Sequence, residues 1–183
     1  MRQEKYHDPN PVVSLVVRRF FEQIGAVIAE LGPETMLDAG CGEGEMLRRG
    51  ILPAGLRPVL LDRSADSAAQ VNGSVTALPF AAGSFDIVTC FEVLEHLDDP
   101  AVAVKELARV ARRSLVLSVP HEPWFRVGNV LRGNYIGRLG NHPEHVQHWN
   151  FRSFEKFLAP HVAGVRIIGA FPWIIACCAL RQR

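Results

Sequence analysis

The 183-residue sequence lacks the features that mark several protein classes. None of its four cysteines forms a CxxC pair, and the adjacent Cys177 and Cys178 would point to opposite faces of a strand. This argues against a disulfide framework or a zinc ribbon and favours reduced thiols. No apolar run approaches the ~20 residues that span a bilayer, and residues 1–11 are too polar for a signal peptide. We therefore expect a cytoplasmic protein without a membrane span.

The chain also has little net charge. Its 20 basic and 19 acidic residues leave a formal charge of +1, which argues against a general polyanion binder. Only three of the basic residues are lysines, and we attribute this skew toward arginine mainly to genomic base composition. With 48% hydrophobic and 21% charged residues, the composition is typical of a globular protein. The length predicts one domain, residues 1–183.

Apolar segments and turns follow one another in the order expected of alternating helices and strands. Between Pro11 and Leu31 apolar residues recur at helical spacing, and Gly32-Pro33 ends the helix. The alternation downstream predicts a parallel sheet covered by helices on both faces. The predicted strands are residues 35–38, 58–62, 84–90, 114–119, 165–169 and 174–180; the later helices begin at Glu45 and Ser64 or span residues 98–112 and 151–160.

Residues 121–150 interrupt this alternation. The stretch is rich in Gly, Asn, His, Trp and Arg, and it is longer than ordinary connections in a compact domain. We interpret it as a lid or substrate insertion over the carboxyl ends of the strands. Arg126, Arg132 and Arg138 within it are candidates to bind a phosphate or carboxylate of a substrate, with a solvated face as the alternative.

A glycine-rich turn follows the first predicted strand. Asp38 ends the strand, and Gly40, Gly42 and Gly44 precede the next helix. Such a turn lets a ligand approach the backbone and directs helix N–H groups toward it. Asp62 ends the following strand, 24 residues after Asp38, where a carboxylate accepts hydrogen bonds from both hydroxyls of a ribose. The pattern predicts a nucleoside-containing ligand at this edge of the sheet.

Taken together, five segments resemble the class I S-adenosylmethionine (SAM) methyltransferases: residues 37–44, 60–62, 77–80, 84–88 and 91–96. The resemblance covers almost the whole chain. It implies a Rossmann-like α/β fold whose mainly parallel seven-stranded sheet is flanked by helices and has an antiparallel last strand. It also implies SAM as the cofactor, whereas the glycine turn alone would also suit a dinucleotide-binding protein.

The resemblance assigns the cofactor to particular residues. Asp38 would hold the methionine ammonium group, and Asp62 the ribose diol. Such enzymes usually place an acidic residue against the adenine amino group; Ser74 stands near that position, so we expect a weaker or backbone-mediated contact there. The complete implied set is Asp38, Gly40, Cys41, Gly42, Asp62, Arg63, Ser74, Val75, Thr76 and Phe91.

A second polar cluster follows the strand predicted at residues 84–90. Glu92 and Glu95, three residues apart, would share one helical face, with His96 beside them. This E-x-x-E-H segment resembles the small-RNA 3′-terminal 2′-O-methyltransferases, and the resemblance implies that Glu92, Glu95, His96 and His145 bind a divalent ion such as Mg²⁺ or Mn²⁺. The alternatives are a metal-free pocket in which His96 or His145 acts as base or orients the substrate, and a purely structural role.

The sequence therefore predicts a SAM-dependent methyltransferase that methylates a small-molecule acceptor, preferentially at oxygen. Its catalytic candidates are His96, His145 and Glu92. Metal-dependent 2′-O-methylation of an RNA 3′ end is the alternative, although the neutral charge and the absence of an RNA-binding appendage count against it. A non-catalytic SAM-binding regulatory partner is the alternative from another functional class.

Overall fold

A computed structural model describes residues 10–122 and 146–181 of the chain. A seven-stranded sheet in the order β3-β2-β1-β4-β5-β7-β6 forms its centre. The strands are β1 (Met36–Ala39), β2 (Val59–Asp62), β3 (Val71–Asn72), β4 (Phe85–Phe91), β5 (Ala111–Pro120), β6 (Gly164–Ala170) and β7 (Trp173–Ala179). The helices are α1 (Pro11–Leu31), α2 (Glu45–Arg48), α3 (Pro100–Val110) and α4 (Phe151–Leu158). Only β7 is antiparallel to its neighbours β5 and β6, so the predicted fold class is confirmed.

Helix α1 packs on one face of the sheet, in a cluster with residues of β1, β4, β5 and β7. The Asn10 side chain caps the helix by accepting from the Val12 N–H at 2.9 Å. At the far end, the Leu31 carbonyl accepts from Arg113 near the start of β5. The rings of Phe20 and Trp173 stack with 4.5 Å between their centroids. Trp173 in turn pairs with Pro120 at the carboxyl end of β5. The helix therefore runs antiparallel to β5, and its first turns reach the carboxyl edge of the sheet.

Helices α3 and α4 cover the opposite face. Alternate residues of β5 point to the two sides: Val116 packs in the cluster that contains α1, whereas Leu115 and Leu117 pack with Leu107 of α3 and Phe154 of α4. This two-sided burial explains why the central strands are apolar at successive positions rather than at alternate ones. No helix within the described ranges is long and apolar enough to cross a bilayer.

Two sequence predictions about the elements are wrong. The segment after Ser64 forms turns instead of a helix, because Asp62 accepts from the Ser64 N–H and Ser67 donates to the Ser64 carbonyl. Helix α3 ends at Val110, and residues 111–113 already belong to β5. Most of the predicted insertion, residues 123–145, lies outside the described residues, so its role as a lid stays a prediction.

A buried carboxylate ties the amino end of β4 to its surroundings. Asp86 accepts from the N–H groups of Glu34 and Thr35 at 2.9 and 3.0 Å and forms an ion pair with Arg112. Burial opposes ionisation, but the hydrogen bonds from Arg112, Thr35 and Glu34 outweigh it and lower the pKa of Asp86 to about 2. Ionised Asp86 therefore stabilises the fold fully above its unfolded-state pKa of ~4. This stabilisation is lost as the pH falls through about 2.

Asp86→Asn should therefore destabilise the fold. The asparagine oxygen can still accept from the two backbone N–H groups. Its N–H₂ group would then face Arg112, and because both are donors the ion pair is lost. We expect the free energy of unfolding at pH 7 to fall by about 1–3 kcal/mol. Urea unfolding of both proteins checks this. The exposed Asp99→Asn serves as a comparison that should be nearly neutral, because the asparagine oxygen still caps α3. Equal stability of Asp86→Asn and the parent chain would contradict the assignment.

Candidate functional site

The glycine turn between β1 and α2 folds tightly against the end of β2. The N–H groups of Gly40 and Cys41 both donate to the Leu61 carbonyl, at 2.7 and 3.1 Å. Gly40 has a φ of 81° and Gly42 a φ of 52°, in the left-handed region that favours glycine. A Cβ added to Gly40 would lie 2.5 Å from Cγ2 of Val93. The turn therefore needs glycine at position 40 for both backbone geometry and space.

Asp62 joins this turn to the loop that follows β2. Its Oδ2 accepts from the Gly42 N–H at 2.9 Å, and its Oδ1 accepts from the Ser64 N–H at 2.8 Å. These two bonds fix the carboxylate at the carboxyl edge of the sheet. A carboxylate has about four lone-pair positions, so this group can also accept from ligand hydroxyls in the same plane.

Asp38 is the buried acid at the end of β1. Thr89 of the neighbouring strand β4 donates to its Oδ1 at 3.0 Å. Burial raises the pKa of Asp38 to about 7, against the effect of the Thr89 hydrogen bond, and the charge of Asp62 raises it further. A cationic group bound beside Asp38 would restore its ordinary ionisation, because opposite charges favour each other's charged forms.

Two cavities meet at this edge of the sheet. The first, of about 330 Å³, contains Asp38 and Gly42 in its lining, and the second, of about 460 Å³, contains Ser74 and His96. The two cavities adjoin, and we refer to them together as the cleft. Four residues line both of them: Gly40, Asp62, Glu92 and Val93. We call the region around these four residues the junction.

Nine of the ten residues predicted to bind the cofactor line this cleft. Asp38, Gly40, Cys41, Gly42, Asp62 and Phe91 line the first cavity, and Arg63, Ser74 and Val75 line the second. Thr76 is outside the lining and is held by Ser74, with 2.7 Å between the two hydroxyl oxygens. The set implied by the resemblance therefore surrounds this cleft, although Phe21 and Val93 were not predicted as parts of its wall.

The first cavity is acidic. Asp38, Glu43, Glu45, Asp62 and Glu92 line it, and its described lining contains no Arg, Lys or His. Burial and the charges of Asp38 and Asp62 raise the pKa of the Cys41 thiol to about 12, so Cys41 is not a thiolate nucleophile at neutral pH. The arrangement suits a cationic ligand that approaches the glycine turn.

Glu92 differs from its predicted geometry. Among the described residues it alone combines a non-glycine side chain with a positive φ, 55°, and it precedes a single 3₁₀ turn at Leu94–His96. Its Oε1 accepts from the Ser118 hydroxyl at 3.1 Å and its Oε2 from the Trp173 indole N–H at 2.8 Å. The prediction that Glu92 and Glu95 share a helical face is therefore wrong: the left-handed residue turns Glu92 toward β5 and β7.

Glu95 and His96 lie on the 3₁₀ turn. Glu95 is fully buried, and its carbonyl accepts from the N–H groups of Val146 and Gln147, at 2.8 and 3.1 Å. The His96 Nε2 is 3.7 Å from Glu95 Oε1, and His96 lines the second cavity. This turn therefore holds the segment that leads into α4 against the cleft.

The predicted metal set does not converge in the part of the chain that the structure describes. Across residues 10–122 and 146–181, no three His, Cys, Asp or Glu side chains group closely enough to hold an ion. Glu92 is bound instead to Ser118 and Trp173, which lie 26 and 81 residues further along the chain, and the sequence carries no local signal for either contact. The fourth predicted ligand, His145, lies outside the described residues. The described members therefore do not fit a divalent ion.

Comparison with known proteins finds similarity to methyltransferases. A family model described as a methyltransferase domain matches residues 37–117. An uncharacterised methyltransferase of Mycobacterium sp. (strain KMS) is 30% identical over 141 residues, which cover 71% of this chain and 52% of the relative. The chain thus spans about half the length of that mycobacterial protein. A ubiquinone biosynthesis O-methyltransferase of Pseudomonas paraeruginosa is 30% identical over 175 residues, which cover 86% of this chain and 69% of the relative.

The same fold occurs in solved structures. Magnesium protoporphyrin IX methyltransferase of Synechocystis PCC 6803, with bound S-adenosylhomocysteine (SAH), superimposes with a TM-score of 0.65. The match covers 96% of this chain and 90% of that one at 20% identity. At this identity the likeness concerns the fold.

Proposed function

Because the chain belongs to the class I SAM-dependent methyltransferases, we propose that it transfers the methyl group of SAM to an oxygen of a small-molecule acceptor in the cytoplasm. The observation that carries this proposal is the acidic cleft at the carboxyl ends of β1, β2 and β4, where the glycine turn, Asp38 and Asp62 meet. Ligands of open α/β sheets bind at this edge. Bound SAM supplies the methyl group of its sulfonium. The neutral thioether that remains is a good leaving group.

The residues present fit this cofactor. Asp62 is fixed by Gly42 and Ser64 with its carboxylate in place to accept from a ribose diol. Asp38 lies further along the first cavity and would pair with the methionine ammonium group. The second cavity, with Arg63, Ser74 and Val75, would take the adenine. This order places the ribose at the junction.

The remaining chemistry is alignment of the acceptor and removal of its proton. Aligning a nucleophile in line with the methyl group and excluding water are the main requirements of such a transfer. His96 lines the second cavity together with the four junction residues, and we place the acceptor at that junction and the adenine beside Arg63, Ser74 and Val75. An imidazole there can accept the proton of an acceptor hydroxyl. We propose His96 as this base; His145 stays a second catalytic candidate on the resemblance alone. No metal-assisted step is derived, since the described ligand set does not fit an ion.

The oxygen acceptor is supported by the Pseudomonas relative, which is named as an O-methyltransferase and matches 86% of this chain. A SAM-consumption screen with phenols and catechols, primary and secondary amines, and short RNAs with a free 3′ diol tests it. We expect turnover with one or more hydroxyl compounds and a loss of at least tenfold in kcat for His96→Ala. Turnover of amines alone would overturn O-methylation, and turnover of RNA alone would establish the alternative acceptor. No turnover of any class would favour a non-catalytic SAM-binding role.

The raised pKa of Asp38 predicts a pH-dependent affinity for SAM. With a pKa of about 7, Asp38 in the ligand-free protein becomes increasingly protonated as the pH falls below that value. Only the ionised form pairs with an ammonium group. We expect the dissociation constant to rise as the pH falls below about 7, by at most ~10-fold per unit. Calorimetric titrations between pH 5.5 and 7.5 measure this slope. Asp38→Asn should bind more weakly and show no such dependence; an unchanged slope in that variant would assign the proton to another group.

A further inference from the structure

We propose that Glu92 is the residue by which this chain distinguishes SAM from its demethylated product SAH. The inference rests on the proposed cofactor and assigns to Glu92 a role other than metal ligand or general base. SAM and SAH differ by one methyl group and by the positive charge on sulfur. A fixed negative charge near the sulfur can therefore separate them through the charge difference.

Glu92 lies at the position where the sulfur is expected. It is one of the four residues that line both cavities, together with Asp62. In SAM the sulfur is bonded to C5′ of the ribose and lies between that ribose and the methionine ammonium group. With the ribose at Asp62 and the ammonium group at Asp38, the sulfur would lie between these two residues, in the cavity that Glu92 also lines.

The carboxylate of Glu92 is held in one orientation by two donors. The Trp173 indole N–H donates to its Oε2 at 2.8 Å, and hydrogen bonds of this kind favour the ionised form of a carboxyl group. The Ser118 hydroxyl donates to the other oxygen, at 3.1 Å. Trp173 is itself fixed by stacking on Phe20 of α1. Glu92 is only 5% exposed, so water screens its charge weakly toward a ligand in the cleft.

A fixed negative charge at the junction favours the cationic cofactor over the neutral thioether. The interaction is present with SAM and is lost once the methyl group has left, so the product is released more readily. The φ of 55° turns the Glu92 side chain to Ser118 and Trp173, which hold it in place while the residue lines both cavities.

Glu92→Gln tests the proposal directly. The glutamine oxygen can accept from Trp173, and its N–H₂ can donate to Ser118, whose hydroxyl also accepts. The substitution thus keeps both hydrogen bonds and removes only the charge. Dissociation constants for SAM, SAH and the cationic analogue sinefungin are measured by calorimetry, with and without a chelator. We expect SAM and sinefungin to bind about tenfold more weakly and SAH to change less than twofold.

The controls separate charge from shape. Glu155→Gln removes the same charge from the exposed face of α4, outside both cavities, and should change none of the three constants. Ser118→Ala, a second variant should Glu92→Gln unfold, frees one carboxylate oxygen and should lower the preference for SAM over SAH by about 2- to 3-fold.

Three results would overturn the proposal. If Glu92→Gln lowers the affinity for all three ligands equally, Glu92 only shapes the cleft. If it lowers none of them, the charge of Glu92 does not act on the ligand. An effect seen only with added Mg²⁺ or Mn²⁺ and abolished by the chelator would make it a metal ligand. If the unsubstituted protein binds neither SAM nor SAH, the proposed function itself fails, which the wild-type titration reveals before any variant is compared.

Discussion

Asp62→Ala is expected to lower the affinity for SAM by about 100- to 1,000-fold. The substitution removes the acceptor for a ribose diol, and hydrogen bonds to a charged group contribute about 1.5–3 kcal/mol each. It also leaves the N–H groups of Gly42 and Ser64 without the carboxylate that joins their two loops. The loss should therefore appear for SAM and SAH alike, unlike the selective loss expected for Glu92→Gln. Calorimetry with both ligands measures it.

A neighbouring aspartate supplies the matched control for Asp62. Asp66 lies on the same loop, is exposed and lines neither cavity. Asp66→Ala should bind SAM within about twofold of the parent chain. Thermal unfolding of both variants shows whether either loss reflects folding. Normal SAM binding by a folded Asp62→Ala protein would contradict the assignment of the ribose to Asp62. It would also contradict the proposed order of the cofactor groups along the cleft.

Gly40→Ala is expected to have the second large effect. The new Cβ would meet Cγ2 of Val93 at 2.5 Å, and the residue would also have to hold a φ of 81°. Strain and overpacking of this kind cost about 2–4 kcal/mol together. Because Gly40 and Val93 both line the junction, the shift that relieves the clash also narrows the cleft. We expect lower stability in urea unfolding and SAM affinity reduced at least tenfold.

A second substitution separates the two causes of that loss. In Gly40→Ala/Val93→Ala the nearest Val93 atom would be its Cβ, at 3.6 Å, so the clash disappears while the backbone strain remains. The double variant should regain part of the stability lost in Gly40→Ala after the cost of Val93→Ala is subtracted. Gly83→Ala, at a φ of 66° with open space around it, reports the strain alone. Additive losses in the double variant would show that Val93 does not limit this turn.

The parts of the site that the sequence predicted are those with a local cause. Asp38, Gly40 and Gly42 belong to one strand–turn–helix unit. The glycines themselves indicate a left-handed backbone, because glycine adopts it most readily. Asp62 follows from the same logic at the end of β2. The seven-stranded sheet and its antiparallel last strand came with the family resemblance, since neither follows from the spacing of short apolar segments. The order of the strands was not predicted and is known from the structure.

The parts that the sequence did not predict depend on contacts across the fold. Glu92 sits three residues before Glu95, which suggested a shared helical face, but Trp173 and Ser118 draw its side chain to β7 and β5. No pattern near Glu92 in the sequence predicts that Trp173 on the last strand is its partner. Likewise, the turns after Ser64 replace a helix because Asp62 and Ser67 satisfy the local backbone groups first.

The measurement that tests the central claim most directly is a calorimetric titration of the unsubstituted chain with SAM, run beside one with NAD⁺. The account predicts saturable one-to-one binding of SAM, with a dissociation constant on the order of 1 μM to 1 mM, the range of typical enzyme substrates, and no saturable binding of NAD⁺. The absence of SAM binding, or tighter binding of NAD⁺ than of SAM, would contradict it.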